Sequence, residues 1–488
     1  MKLQIFTIFL AVALSDATNI NHRHADIAKR QSSSSSSSSI SSATATSASS
    51  VTTGATSTAS SAVSGASGTT ASGTSTTGPP ASATWGTSFP PLSQISSGMP
   101  SEMTQPASTT YAAGSSPTYY SAASPLPSPF VYSAANWPAQ DKVPDTSSSE
   151  VQEWLKELDG FDIPDIDQTV DGTCGSSPAA AQNASARGWW TCGGWTRDTD
   201  ITVCPGKKGD WGLSFDDGPG FYSTKLFNWL SEKKILATFF TVGSRVIERP
   251  DVLREEYMAG HEISVHTWSH PHLTTLSNAQ IVAELGWTRK AIKEVLGVTP
   301  TTMRPPYGDI DDRVRAICLA MGMVPIIWTR TPSGFSFDTF DWEIPGGTVS
   351  SNQSFAQFNA ILGNASSLND GFVVLQHDLF EQTVDMAIGY TLPAALSYNP
   401  PYNLLPIGQC NGIPYTNMYL ESNVNTTFPY PSNSGTDVDG DGSGEAQSKS
   451  GSSSGSGSSN AGSRQISSTS SIGLLSMAAI AALWVAAF

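Results

Sequence analysis

Between residues 205 and 420, short apolar runs alternate with longer amphipathic ones. "WGLSF" precedes "YSTKLFNWLSEKK", "ATFFTV" precedes "RPDVLREEYMAG", and "HEISV" precedes "SNAQIVAELGWTRKAIKEVLG". "TTMR" leads to "DDRVRAICLAMG", and "MVPIIWT", "FVVLQH" and "DMAIGYTLPAAL" follow. The short runs have strand length, and the longer ones carry apolar residues at helical spacing. Alternating strand and helix predicts an α/β fold of parallel strands with crossover helices. Six or seven such units predict a closed or nearly closed barrel. An open doubly wound sheet is the alternative. No GxGxxG follows the first strand, which counts against a dinucleotide-binding fold.

The flanks follow another grammar. Residues 1–17 combine Lys2 with the apolar "IFTIFLAVAL" and then small residues, the pattern of a signal peptide. Residues 18–140 are rich in Ser, Thr and Pro, and 32–79 are almost wholly Ser, Thr, Ala and Gly. Such a region buries too little apolar surface to offset its ordering entropy, so we expect it to be disordered and O-glycosylated. Residues 141–204 read as an extension packing on the core, in which "SSEVQEWLKELDGF" predicts a short capped helix. Trp189, Trp190 and Trp195 within it are expected to pack in the core, with stacking on sugar rings as the alternative. A Ser/Gly-rich linker spans 421–460; its "DVDGDG" lacks the later glutamate of a calcium loop. Residues 461–488 end in an apolar tail after a polar spacer and small residues, the order of a GPI-anchor propeptide with attachment at Asn460. A single spanning helix is the alternative reading of that tail.

Charge and cysteines narrow the setting. The formal net charge is −16 and no basic stripe occurs, so nucleic acid is not an expected partner. Both end signals predict a secreted chain, lipid-anchored at the outer face of the plasma membrane or lodged in the cell wall. Four sequons agree with that setting: Asn183, Asn352, Asn364 and Asn425. The five cysteines would sit in an oxidising compartment. Cys318 lies in an amphipathic helical pattern and is expected buried and free. We expect Cys174 to pair with Cys192 and Cys204 with Cys410, although the sequence leaves the connectivity open.

The candidate chemistry falls at the ends of the predicted strands, where a parallel barrel builds its active site. Asp216 and Asp217 follow "WGLSF", His266 and His270 follow "HEISV", Arg304 ends "TTMR", and His377 ends "FVVLQ". Two histidines four apart can chelate one cation from a single side of a turn. The glutamate of HExxH is absent, which removes the metalloprotease reading. Two histidines and one aspartate leave positions open for water and substrate, as a catalytic metal needs. Three of the seven histidines lie within 266–272; His272, after Pro271, is read as a bystander.

"SFDDGP", "HTWSH", "RPPYGD", "DTFDW" and "VLQHD" occur in that order, and together they resemble the motifs of the polysaccharide deacetylases, the NodB-homology group of carbohydrate esterases. The resemblance covers roughly 205–420. With the end signals, it is similar to the fungal chitin-deacetylating members. It implies a distorted (β/α) barrel of about seven strands and one divalent ion, zinc or cobalt, held by Asp217, His266 and His270. It implies Asp216 as general base, Arg304 orienting it, and His377 as general acid held by Asp341. The backbone N–H of Tyr307 would stabilise the oxyanion, and Trp342 and Leu375 would wall the acetyl pocket. Ser214 stands where Thr is more usual, a change expected to be harmless because the side chain does no chemistry. The implied activity is metal-dependent release of acetate from chitin and chitooligosaccharides by a monomer. The rivals are another acetylated glycan, such as acetylxylan, and a non-catalytic wall protein.

Overall fold

The computed structural model describes residues 89–102, 104–425 and 428–429. All belong to the first of the chain's two compact units, Met1–Ser448. The signal peptide, the Ser-rich run up to residue 88, most of the 421–460 linker with its "DVDGDG", Asn460 and the anchor propeptide lie outside the described residues.

The strands are short and all but the last are fully buried, which suits Phe, Val, Ile and Thr lining a closed interior. β1 (Asp210–Gly212) and β2 (Ser214–Asp216) form one path broken at Leu213. β3 (Thr238–Thr241), β4 (Glu262–Val265), β5 (Thr302–Met303) and β6 (Val324–Pro325) follow β2 in a parallel sheet, neighbour by neighbour. β7 (Phe372–Val373) and β8 (Asn403–Leu405) flank β1, again parallel. The ring closes beyond the regular strands. The Thr329 N–H donates to the Val373 carbonyl (3.0 Å), and the Asp216 N–H donates to that of Gln376 (2.9 Å). Two insertions distort it: β8 pairs with β1 at one end, and residues 337–339 pair with Leu375 near the other. With β1 and β2 counted as one, seven strand paths make a distorted barrel, and the open-sheet alternative is set aside.

The helices cross between successive strands. In chain order they include α1 (Ser149–Trp154) in the extension, then α2 (Ser223–Lys233), α3 (Pro250–Met258), α4 (Asn278–Leu296), α5 (Asp312–Ala320) and α6 (Ser351–Ala365). α4 and α6 each open on a capping box, Ser277 with Gln280 and Ser350 with Gln353. In each, the serine hydroxyl and the glutamine side chain satisfy two backbone N–H groups that the helix start leaves over. The buried faces of the helices and strands meet in one continuous hydrophobic cluster.

The expectation of disorder to residue 140 needs correction from residue 89 onward. The described residues of 89–140 lie along the barrel as a strap with little helix and, among them, no strand. Ile95, Tyr120, Leu126 and Trp137 are buried, and the Trp137 ring stacks on Trp268 at 5.9 Å with the planes 3° apart. These anchors act together with polar ties to the barrel, such as the Arg254 guanidinium donating to the Pro127 (3.0 Å) and Ser128 (2.7 Å) carbonyls. Composition averages hide anchors spaced this widely. The core also runs past residue 420: the Glu421 carboxylate accepts the Thr299 N–H at 2.7 Å.

Two disulfides are present, Cys174–Cys192 and Cys204–Cys410, the second joining the start of the barrel to the short helix Ile407–Cys410. Cys318 is buried in α5 and free. No helix among the described residues is long and apolar enough to cross a membrane.

Candidate active site

Asp216 ends β2, and Asp217 follows it. Successive strand residues face opposite sides of a sheet. Asp217 breaks that alternation with a left-handed backbone, φ 80°, and its N–H donates to the Phe240 carbonyl at 3.1 Å. A non-glycine residue in this conformation costs about 1–3 kcal/mol and persists only where its surroundings hold it. The result brings both carboxylates to one imidazole: His266 Nε2 lies 3.8 Å from Asp216 Oδ2 and 3.4 Å from Asp217 Oδ1.

His270 completes the group, with Nε2 at 3.2 Å from Asp217 Oδ1. One ligand atom from each of Asp217, His266 and His270 lies within 4.8 Å of the others, and all three residues are buried. The His266 Nδ1–H donates to the Arg304 carbonyl at 2.8 Å, because a carbonyl only accepts. That bond leaves the Nε2 lone pair facing Asp217. A carboxylate oxygen and imidazole lone pairs converging on one point are the donor set of a divalent cation. Burial pushes His270 below its ordinary pKa, against the pull of Asp217, which favours the neutral form that ligates. Burial alone would raise Asp217, but the two imidazoles outweigh it and hold the carboxyl well below the usual range.

The loop between the histidines is shaped by a residue that the sequence reading missed. Thr267 and His270 both have positive φ, 66° and 59°. Buried Glu284 on α4 accepts the N–H groups of Trp268 (2.7 Å) and Ser269 (2.8 Å) and the Ser269 hydroxyl (2.6 Å). A lone glutamate in an amphipathic helix reads as solvent-facing, so no local pattern flagged it.

Arg304 directly follows β5 and is fully buried. Its Nη1 donates to Asp216 Oδ1 at 2.6 Å and to the Ser214 hydroxyl at 2.9 Å. Ser214 was expected to do no chemistry, and it touches none, yet its hydroxyl fixes the arginine that grips Asp216. Tyr307 follows with φ 61°, and its ring stacks on His272 at 3.9 Å with the planes 15° apart. His272, read as a bystander, therefore backs the tyrosine.

His377 extends the β7 path, where Asp216 and His377 form an isolated parallel bridge. Its Nδ1 lies 2.7 Å from Asp341 Oδ1, and its backbone N–H donates to Asp341 Oδ2 at 3.0 Å. Burial alone would lower this imidazole. Asp341, helped by Asp217 and Asp216, reverses the effect and raises it to about 10, so the ring is cationic at neutral pH before any metal binds.

These groups meet in a cavity of about 250 Å³. Asp216, His266, His270 and His377 reach its floor, while Tyr307, Trp342 and Leu375 form part of its wall. Asp217, Arg304 and Asp341 lie behind those residues, within bonding distance of them. The extension adds Trp190 and Thr191 to the lining. Trp189 is fully buried, in line with core packing, and Trp195 is 43% exposed. Asp338, also unassigned by the sequence reading, lines the cavity with its carboxyl pushed up to about 7 by burial. The sequon asparagines Asn183, Asn352 and Asn425 are exposed; Asn364 is half-buried and donates to the Ala360 carbonyl at 2.9 Å.

A family model described as polysaccharide deacetylase matches residues 204–326. The chain is 49% identical over 346 residues to chitin deacetylase 1 of Cryptococcus neoformans var. grubii, covering 70% of this chain and 72% of that protein. A chitin deacetylase of Amylomyces rouxii is 33% identical over 312 residues, covering 60% of this chain and 71% of the other. The structure of the chitin deacetylase from the fungal pathogen Colletotrichum lindemuthianum aligns at 27% identity and a TM-score of 0.41, covering 46% of this chain and 95% of that one. On the breadth of the Cryptococcus match, this chain belongs to the polysaccharide deacetylase family.

Proposed function

We propose that the protein is a chitin deacetylase, hydrolysing the N-acetyl groups of N-acetylglucosamine units to give chitosan and acetate. The names of its relatives support the substrate. One observation carries the chemistry: two adjacent carboxylates that both approach His266 yet differ in their closest partners. Asp217 faces two imidazoles and Asp216 is gripped by Arg304.

Asp217, His266 and His270 would hold one divalent ion, and their N2O donor set suits zinc or cobalt. When bound, such an ion supplies Lewis acidity toward water and toward the amide carbonyl. The protein's own groups do the rest. Asp216, oriented by Arg304, takes the proton of the attacking water. The Tyr307 N–H donates to the oxygen that gains charge as the carbonyl carbon becomes tetrahedral. His377 gives its proton to the amide nitrogen as the C–N bond breaks, releasing acetate and the free amine. Trp342 and Leu375 wall the space for the acetyl methyl. The exposed sequons support N-glycosylation at Asn183, Asn352 and Asn425, with Asn364 a fourth acceptor, on a secreted monomer anchored through Asn460. Release from cells by a phosphatidylinositol-specific phospholipase would test that anchor.

Acetate release from chitin oligomers and from acetylxylan tests the activity. Asp216→Asn should retain metal and lose at least about 10²-fold in rate. Full activity in that variant, preference for acetylxylan, or binding to chitin with no acetate released by the wild type would each sink this reading.

A further inference from the structure

The family match begins at residue 204, yet an earlier segment is built into the site. Asp309 closes the "RPPYGD" turn and is fully buried. Four hydrogen bonds converge on its carboxylate. On Oδ2 it accepts the Thr274 N–H (3.0 Å) and hydroxyl (2.7 Å), both from the barrel. On Oδ1 it accepts the Trp189 Nε1–H (2.8 Å) and the Thr191 hydroxyl (2.9 Å), both from the extension.

The same segment grips the turn elsewhere. The Trp190 N–H donates to the Ile310 carbonyl at 3.0 Å. Gly308, φ 65°, leaves the space that the Trp190 ring fills: a Cβ there would lie 2.3 Å from the ring. Thr169 bonds Thr274 through backbone and side chain, and Gly172, φ 77°, makes room for His272 behind Tyr307. The buried ion pair Arg187–Asp311 (2.8 Å) and the partly buried pair Arg197–Asp312 (2.6 Å) tie the segment to the start of α5, and Cys174–Cys192 closes it into a loop.

We propose that Trp189 and Thr191 are positioning residues: through Asp309 they hold the strained Tyr307–Gly308 turn, so that the extension completes the site that the barrel begins. The proposal rests on the assignment of the Tyr307 N–H as oxyanion donor. A misplaced donor weakens the transition state more than ground-state binding, so kcat carries the effect and KM does not.

The test uses the full secreted chain loaded with zinc. Thr191→Val removes one donor at almost constant volume, and Trp189→Phe removes the other should the first variant fold poorly. We expect kcat on chitin oligomers to fall about tenfold with KM within about twofold, and Thr191→Ser to restore it. Hydrogen–deuterium exchange supplies a readout independent of turnover. The Gly308 and Asp309 amides donate to the Pro305 and Pro306 carbonyls (3.0 and 2.9 Å), and their exchange should speed up about fivefold, the worth of one hydrogen bond. Unchanged exchange in both variants, or unchanged kcat, overturns the proposal. If the wild type releases no acetate, the deacetylase reading fails instead, and exchange alone then judges the positioning.

Discussion

The His266–His270 loop and the His377 strand end face one cavity, and both His270 and His377 are nearly inaccessible to water. Burial pushes both imidazoles the same way, yet they diverge. His377 has a carboxylate of its own, Asp341 at 2.7 Å, and rises to about 10. His270 shares Asp217 with His266, feels the other imidazoles, and ends below its ordinary value. The ratio of carboxylates to imidazoles, more than depth, sorts a neutral ligand from a charged acid. The same logic separates acid from base and ligand in other active sites.

The largest expected effect breaks the contrast at the ligand side. His270→Gln should cost at least about 10³-fold in activity and lose tightly bound metal in elemental analysis, because several kcal/mol of charge stabilisation go with the cation. His377→Gln should cost about 10²–10⁴-fold yet retain metal. If both variants lost metal, or neither did, the two histidines would not be divided as described.

Asp341→Asn sharpens the comparison at the acid side. In the metal-free protein, nuclear magnetic resonance titration should place wild-type His377 near 10 and move it toward 6.5 in the variant. The sign follows from linkage. A histidine raised in the folded state stabilises the fold fully below its unfolded value of 6.5, and that contribution is lost as pH rises through about 10. Thermal stability of the metal-free wild type should therefore decline over that interval, and the variant should show less of the decline. The alkaline limb of its activity should also shift to lower pH, since the acid must be protonated.

The smallest effect concerns Ser214. Removing its hydroxyl in Ser214→Ala leaves Arg304 one acceptor fewer and should cost about 1–3 kcal/mol, read as a lowered Tm. Ser214→Thr keeps the hydroxyl and should match the wild type in both Tm and rate.

Several of these groups were legible because local chemistry and spacing coincide. Adjacent aspartates at a strand end, two histidines four apart, and an arginine and a histidine closing later strands all stand where a parallel barrel gathers its loops. Glu284 and Asp309 were not legible as supports. Glu284 looks like the polar face of a helix, and Asp309 like the end of a rigid turn, until the chain brings Trp268, Ser269, Trp189 and Thr191 to them. The 89–140 strap escaped for a related reason: its anchors are too sparse to lift a Ser/Pro-rich average, and their burial sites belong to the barrel.

Hydrophobic periodicity along the chain was enough to determine alternating strands and helices, and to put ionisable residues at strand ends, since both are properties of neighbouring residues. Which carboxylate meets which imidazole, which histidine carries charge, and how far the N-terminal segment joins the site were decided only by the folded chain. Burial and pairing depend on residues far apart in sequence, and no local pattern encodes them.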